Sequence, residues 1–169
     1  MRMIDPLLME LDRASATTRT LLSRVPPDKL AWKPHAKSYS LGQLAQHLAT
    51  LPQLIAGSLL PGGFDLATGG ERMTVKEPAS VEAVLKTLDE SLAAAKAAMA
   101  QLDDAKAMGP WTLRHGSKVI MEMPRIALIR TILLNHSIHH RGQLSVYLRL
   151  LDVPLPPIYG PTADENPFA

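Results

Sequence analysis

His136-Ser137-Ile138-His139-His140-Arg141-Gly142-Gln143 lies inside a stretch that runs without a helix breaker, Gly142 apart, from about Pro124 to Leu151. The apolar spacing of that stretch predicts one long helix. His136 and His140 are four residues apart, about one helical turn, so their β-carbons leave the same face roughly 6 Å from each other. That separation suits two ligands of one metal ion. The same face continues through Ile129, Leu133, Leu144 and Tyr147, the apolar stripe of a helix packed on a core. An imidazole on such a stripe needs a partner, because an unpaired buried polar group costs about 1–3 kcal/mol.

A third histidine lies on a second stripe. His47 follows Leu44 by three residues and precedes Leu51 by four, within a run whose apolar positions are Leu41, Leu44, Leu48, Leu51 and Ile55. Two helices packed through these stripes bring His47, His136 and His140 toward one point. Three histidines and an open position are a common plan for a catalytic metal site. His139 competes for the role, being three residues from His136, but at about 100° per residue it turns to the helix flank. His35 and His115 fall in connections and are expected in solvent.

Composition narrows the chemistry. The chain has 169 residues, 46% hydrophobic and 20% charged, which fits one globular domain with a sizeable core. With no cysteine, disulfides, cysteinyl nucleophiles and thiolate ligands are excluded, leaving imidazoles and carboxylates as metal ligands. A net charge of +2 with scattered basic residues gives no positive argument for nucleic acid. No apolar run is long enough to span a membrane and no signal segment is evident. The expectation is a cytoplasmic protein that binds neither nucleic acid nor membrane.

Four amphipathic segments organise the chain. Asp5-Pro6 reads as N-cap and first helical residue, with Leu7, Leu8, Leu11, Ala14, Leu21 and Leu22 carrying a helix to about Arg24 before Val25-Pro26-Pro27. Residues 26–39 read as a connection. Ser40 and Gln43 form a capping box for a second helix ending near Leu60. Residues 61–79 read as a long polar crossover. Ser80 caps a third helix with Val81, Val84, Leu85, Leu88, Leu92, Met99 and Leu102 at helical spacing, and its alanine-rich middle suits close packing. Trp111 to Met123 alternates about His115-Gly116 as a short hairpin. The fourth helix follows. The fold class is all-α: a four-helix bundle over residues 1–152, with 153–169 an extended proline-rich arm of the same domain.

These residues resemble the DinB-like (DinB/YfiT) superfamily of metal-binding four-helix bundles. Trp32-Lys33-Pro34 and the run Ser40 to Leu48 resemble its W-x-P element and histidine-bearing second helix. His136 to Gln143 is similar to its H-x-x-x-H-R-G-Q signature. Val153 to Pro161 and the acidic sequel resemble the tail of one branch. The resemblance implies an up-down-down-up order and a divalent metal held by His47, His136 and His140. It also implies frequent homodimers and, in some relatives, thiol-dependent S-transferases or isomerases using a small thiol.

The resulting expectation is a three-histidine site with an open position that activates a small thiol or water bound for a small-molecule substrate. Zinc or nickel is the expected ion, and a low-molecular-weight thiol a possible co-substrate. No catalytic residue is assigned. The alternative is a non-enzymatic, stress-associated metal-binding protein, dimeric and structural. Gln143 lies within reach of a ligand imidazole or a metal-bound water. Arg141 is expected in a salt bridge, a dimer contact or at the surface. Gly142 is expected to admit close approach of another helix or the tail. Tyr159 and the proline-rich tail are expected to pack on the bundle rather than wrap a neighbouring subunit or cover the site.

Overall fold

The computed structural model describes residues 1–168 and is mostly helical, with a small three-stranded sheet. Helix α1 spans Asp5–Leu22. Asp5 stands one residue inside it, because Ile4 occupies the cap without a side-chain bond. The carboxylate instead accepts from the Arg2 backbone N–H at 2.8 Å and from Arg2 Nε at 3.0 Å. Helix α2 spans Leu41–Leu59 and opens on the expected capping box. Ser40 Oγ accepts from the Gln43 N–H, and Gln43 Oε1 accepts from the Ser40 N–H, both at 3.0 Å. Gly42 in its first turn lets the chain pack tightly, since a Cβ there would lie 2.9 Å from Glu77 Oε2 and 3.1 Å from Leu30 O.

The crossover holds more structure than its polarity predicts. Strand β1, Gly63–Asp65, leads into a short helix α3, Leu66–Gly69, and a 3-10 turn, Gly70–Met73. Helix α4, Val81–Ala100, starts where Ser80 Oγ accepts from the Ala83 N–H at 3.2 Å. A short helix α5, Asp104–Met108, precedes the hairpin of β2, Pro110–His115, and β3, Lys118–Pro124. Gly116 turns it with φ +59°. Strand β1 adds to β2 in parallel, giving the order β1-β2-β3. A three-residue Gly-Phe-Asp strand carries no alternation to read, which is why the sheet is larger than the hairpin expected.

The final helix is interrupted. After α6, Arg125–Leu128, residues Ile129–Asn135 form a π-helical segment, and α7 runs His136–Leu150. The wider turn ends at the first histidine of the cluster. π-segments within α-helices are rare and concentrate at functional sites. Nothing in the local sequence marks this one.

Two apolar clusters divide the core along the helices. Leu7, Leu11, Ile55, Leu59, Met99, Trp111, Leu128 and Leu133 belong to the first. Leu21, Leu22, Leu44, Leu48, Val84, Leu88, Leu144 and Leu148 belong to the second. Each such side chain, fully buried, contributes about 1.5–3 kcal/mol before conformational entropy is set against it. The sheet caps the first cluster: Trp111 Nε1 donates to Ser58 O at 3.1 Å and Arg125 Nε to Leu59 O at 2.8 Å, satisfying the last carbonyls of α2. Between helices, Asp12 pairs with Lys96 and Arg19 with Asp89. Beyond α7 the described residues of the tail form no regular helix or strand. It folds back on the second cluster through Val153, Leu155 and Ile158, pinned by Arg24–Glu165 at 2.7 Å. No helix among the described residues is long and apolar enough to cross a membrane.

Candidate metal centre

α2 and α7 bring His47, His136 and His140 together. One ring nitrogen from each lies within 4.8 Å of the other two. The His47 ring centroid is 4.5 Å from that of His140 and 5.4 Å from that of His136. His136 Nε2 and His140 Nε2 are 2.7 Å apart. A tetrahedral ion bound at about 2.0–2.1 Å sets its ligand nitrogens about 3.3 Å from one another, so a small outward movement of two rings accommodates one. His140 is buried, while His47 and His136 are half-buried. The arrangement is compact, mostly screened from solvent and made only of nitrogen donors.

Gln143 holds the far side of the His140 ring. Its Oε1 lies 2.7 Å from His140 Nδ1. With Nδ1 as the donor to that oxygen, the Nε2 lone pair faces the cluster. Holding a ligand imidazole through its far nitrogen is the usual outer-shell device of histidine metal sites. Of the two roles open to Gln143 in the sequence, the structure shows the bond to the imidazole.

The environment keeps the imidazoles neutral. Burial, then the neighbouring His140 and His136, push His47 down from 6.5 to about 4. His136 is lowered by burial and by His139. His140 is lowered by burial and its histidine neighbours, against an opposing contribution from the Gln143 bond. At neutral pH all three are therefore held in the uncharged form, each with one lone pair to offer, the charge state a metal requires. No acidic side chain joins the cluster among the described residues. The donor set fits a borderline divalent cation and leaves room for a fourth ligand from outside the chain.

His139 is exposed on the flank, its ring centroid 6.5 Å from that of His136 and 4.9 Å from that of His140. His35 is exposed in a connection, whereas His115, also exposed, is the last residue of β2 and pairs with Lys118. Tyr39, whose ring centroid is 6.0 Å from that of His47, escaped the sequence reading because it sits in a loop. Its carbonyl accepts from Tyr147 Oη at 3.3 Å, tying the loop to α7. A cavity of about 640 Å³ runs from His47 along α2, against the crossover and the start of α4, past Thr50, Phe64, Lys76 and Glu77. Of the three histidines only His47 lines it.

Two expectations for the signature fail. Arg141 is neither in a salt bridge nor at the surface: it is 1% exposed and bonds Ala14 O, Thr18 Oγ1 and Tyr159 Oη. Gly142 admits no close neighbour within the chain, since a Cβ there would meet nothing within 4 Å. Helical spacing gives the direction of Arg141, but only the packing of α1 and the tail shows that this direction is filled.

The sequence profile of the DinB family matches residues 3–166. The chain belongs to the DinB family. Among curated proteins, the uncharacterized YrdA of Bacillus subtilis is 25% identical over 164 residues, 96% of this chain and 91% of its own length. Two solved structures share the fold with a TM-score of 0.70: the DinB-like protein YjoA of Bacillus subtilis, 21% identical, and a DinB-like protein of Bacillus cereus, 19% identical. The first alignment covers 92% of this chain and 98% of YjoA, the second 90% and 95%.

Proposed function

We propose that this DinB family protein binds one divalent ion through His47, His136 and His140 and uses it to activate a small thiol or water against a small-molecule substrate. The reaction class is metal-dependent thiol S-transfer or hydrolysis. The observation that carries the reading is the convergence of three imidazoles, held neutral by burial, without a fourth ligand among the described residues. An ion so held keeps its full positive charge and acidifies a thiol or water placed on it. His47 joins the site to the 640 Å³ cavity, which is where substrate would reach the cluster. Lys76 and Glu77 on the crossover wall supply polar contacts there, and Phe64 an apolar one. Because the chain has no cysteine, any thiol arrives as a co-substrate.

The rest of the reading follows the same scaffold. The ion is zinc or nickel, both suited to imidazole. The scaffold is a four-helix bundle of residues 1–152 in up-down-down-up order, with 153–169 as its arm. The distribution of α1, α2, α4 and α7 residues between the two core clusters supports that order. Exposed Val146 and Leu150 on α7 favour a homodimer, and the location is cytoplasmic. A second reading, a metal that only stabilises the fold, draws support from the cluster bridging α2 to α7. Activity separates the two. Metal-loaded protein is screened with small thiols and electrophiles, beside a variant with all three histidines changed to alanine. The proposal expects turnover that the variant lacks. Turnover surviving in a folded variant would refute it, and folded, metal-loaded protein without turnover supports the structural reading.

A further inference from the structure

Arg141 follows His140 but leaves α7 in another direction, toward α1 and the tail. It is 1% exposed. A guanidinium cannot shed its charge in a protein, and buried charges are as a rule paired with opposite ones. Arg141 has no such partner among the described residues. Nη1 donates to Ala14 O at 3.1 Å and Thr18 Oγ1 at 3.0 Å, and Nη2 donates to Tyr159 Oη. The Tyr159 ring centroid lies 5.6 Å from the guanidinium carbon. All of these groups are neutral, and Nε has no hydrogen-bond partner among the described residues.

The same side chain lines a cavity of about 500 Å³ between α1, α7 and the tail. Arg13, also on its wall, makes no ion pair among the described residues. Glu10, the carboxylate on the wall, is taken by Arg130 at 2.6 Å. Apart from Thr17 and Tyr159, the remaining wall is apolar, with Met9, Leu134 and Ile138. On the interior side of Arg141, a cavity of about 10 Å³ bounded by Leu48 and Leu88 has room for one water at most. A neutral water there leaves the charge uncompensated.

We infer that this second cavity binds an amphiphilic oxyanion, a carboxylate or phosphate headgroup on a short apolar chain. The headgroup pairs with Arg141 and Arg13, and the chain lies on Met9, Leu134 and Ile138. Tyr159, 73% exposed at the end of the tail, yields its place on Nη2 to the incoming oxyanion.

Calorimetric titration with octanoate, octyl phosphate and the neutral 1-octanol tests this, on wild-type protein and on Arg13→Gln, Arg141→Met and His47→Ala. At least one anion should bind about tenfold or more tightly than octanol, as expected for a charge-assisted hydrogen bond. The tighter of the two anions identifies the headgroup class. Arg13→Gln, an exposed position that leaves folding intact, should weaken anion binding several-fold, and Arg141→Met should abolish it. His47→Ala should leave it unchanged, which separates this cavity from the histidine cluster. The inference falls if octanol binds as well as the anions, if neither anion binds at millimolar concentration, or if Arg13→Gln has no effect. Loss of binding in His47→Ala would also overturn it, and Arg13→Gln decides alone should Arg141→Met fail to fold.

Discussion

His140 and Arg141 are consecutive residues of one helix, both buried, and they meet burial in opposite ways. His140 faces α2, and with His47 and His136 it becomes neutral: three imidazoles lose their affinity for protons and keep their lone pairs. Arg141 faces α1 and the tail with a charge it cannot lose, surrounded by neutral acceptors and one tyrosine ring. The first environment is compatible with a cation, and the second leaves a buried positive charge without an anionic partner among the described residues. Polar residues on an otherwise apolar helix thus mark two sites of opposite electrical character, about 100° apart around the helix axis.

Acid should break the histidine side most strongly. In the folded chain the three imidazoles bind protons less readily than their ordinary 6.5, His47 down to about 4. The unfolded chain then holds more protons below pH 6.5, so folding stability rises with pH through this window. It is fully present above 6.5 and lost as pH falls toward 4. Denaturant melts of metal-free protein at pH 7, 6, 5 and 4 should show a steady loss, and His47→Leu should flatten it. Metal held at the proposed site should be released as pH falls, because protons compete for the same nitrogens.

On the other side, Arg141→Ala should destabilise the fold by about 2–4 kcal/mol, through the cavity it leaves and the partners it strands. Arg141→Met, which fills the volume without the charge, should recover most of that loss. Equal losses in the two variants would show that the guanidinium bonds outweigh the cost of its burial.

The fold and the site were legible in the sequence to different depths. Ser40 and Gln43, Ser80, and the stripes through Leu44 and Leu133 act locally, so helix starts and inward faces followed from spacing alone. The pairing of β1 with β2 depends on chain distant in sequence, and the π-segment before His136 on how α7 meets its neighbours, so neither leaves a local pattern. The same division holds in the site. Spacing brought His47, His136 and His140 to one face each, whereas the burial of Arg141 and the nearness of Tyr39 depend on a tail and a loop without periodicity.

Smaller effects sharpen the contrast. Gln143→Ala frees His140 Nδ1 and should weaken metal affinity about 10–100-fold, read by competition with a chromophoric chelator, with little change in metal-free stability. An unchanged affinity would show that the glutamine does not orient the ligand. Smallest of all, Gly142→Ala adds a methyl group to open space and should raise stability by up to about 1 kcal/mol through helix propensity. A loss instead would place a partner surface against that turn of α7.

The central claim, that His47, His136 and His140 form a metal centre, is tested most directly by elemental analysis of untagged protein, wild type beside His136→Ala. The account predicts about one divalent ion per chain in the wild type and a large loss in the variant, with both folded to the same helical content. A wild-type protein that carries no metal as purified and takes up none on titration with zinc or nickel would contradict it, and would return the three histidines to the role of polar residues packed in a helical core.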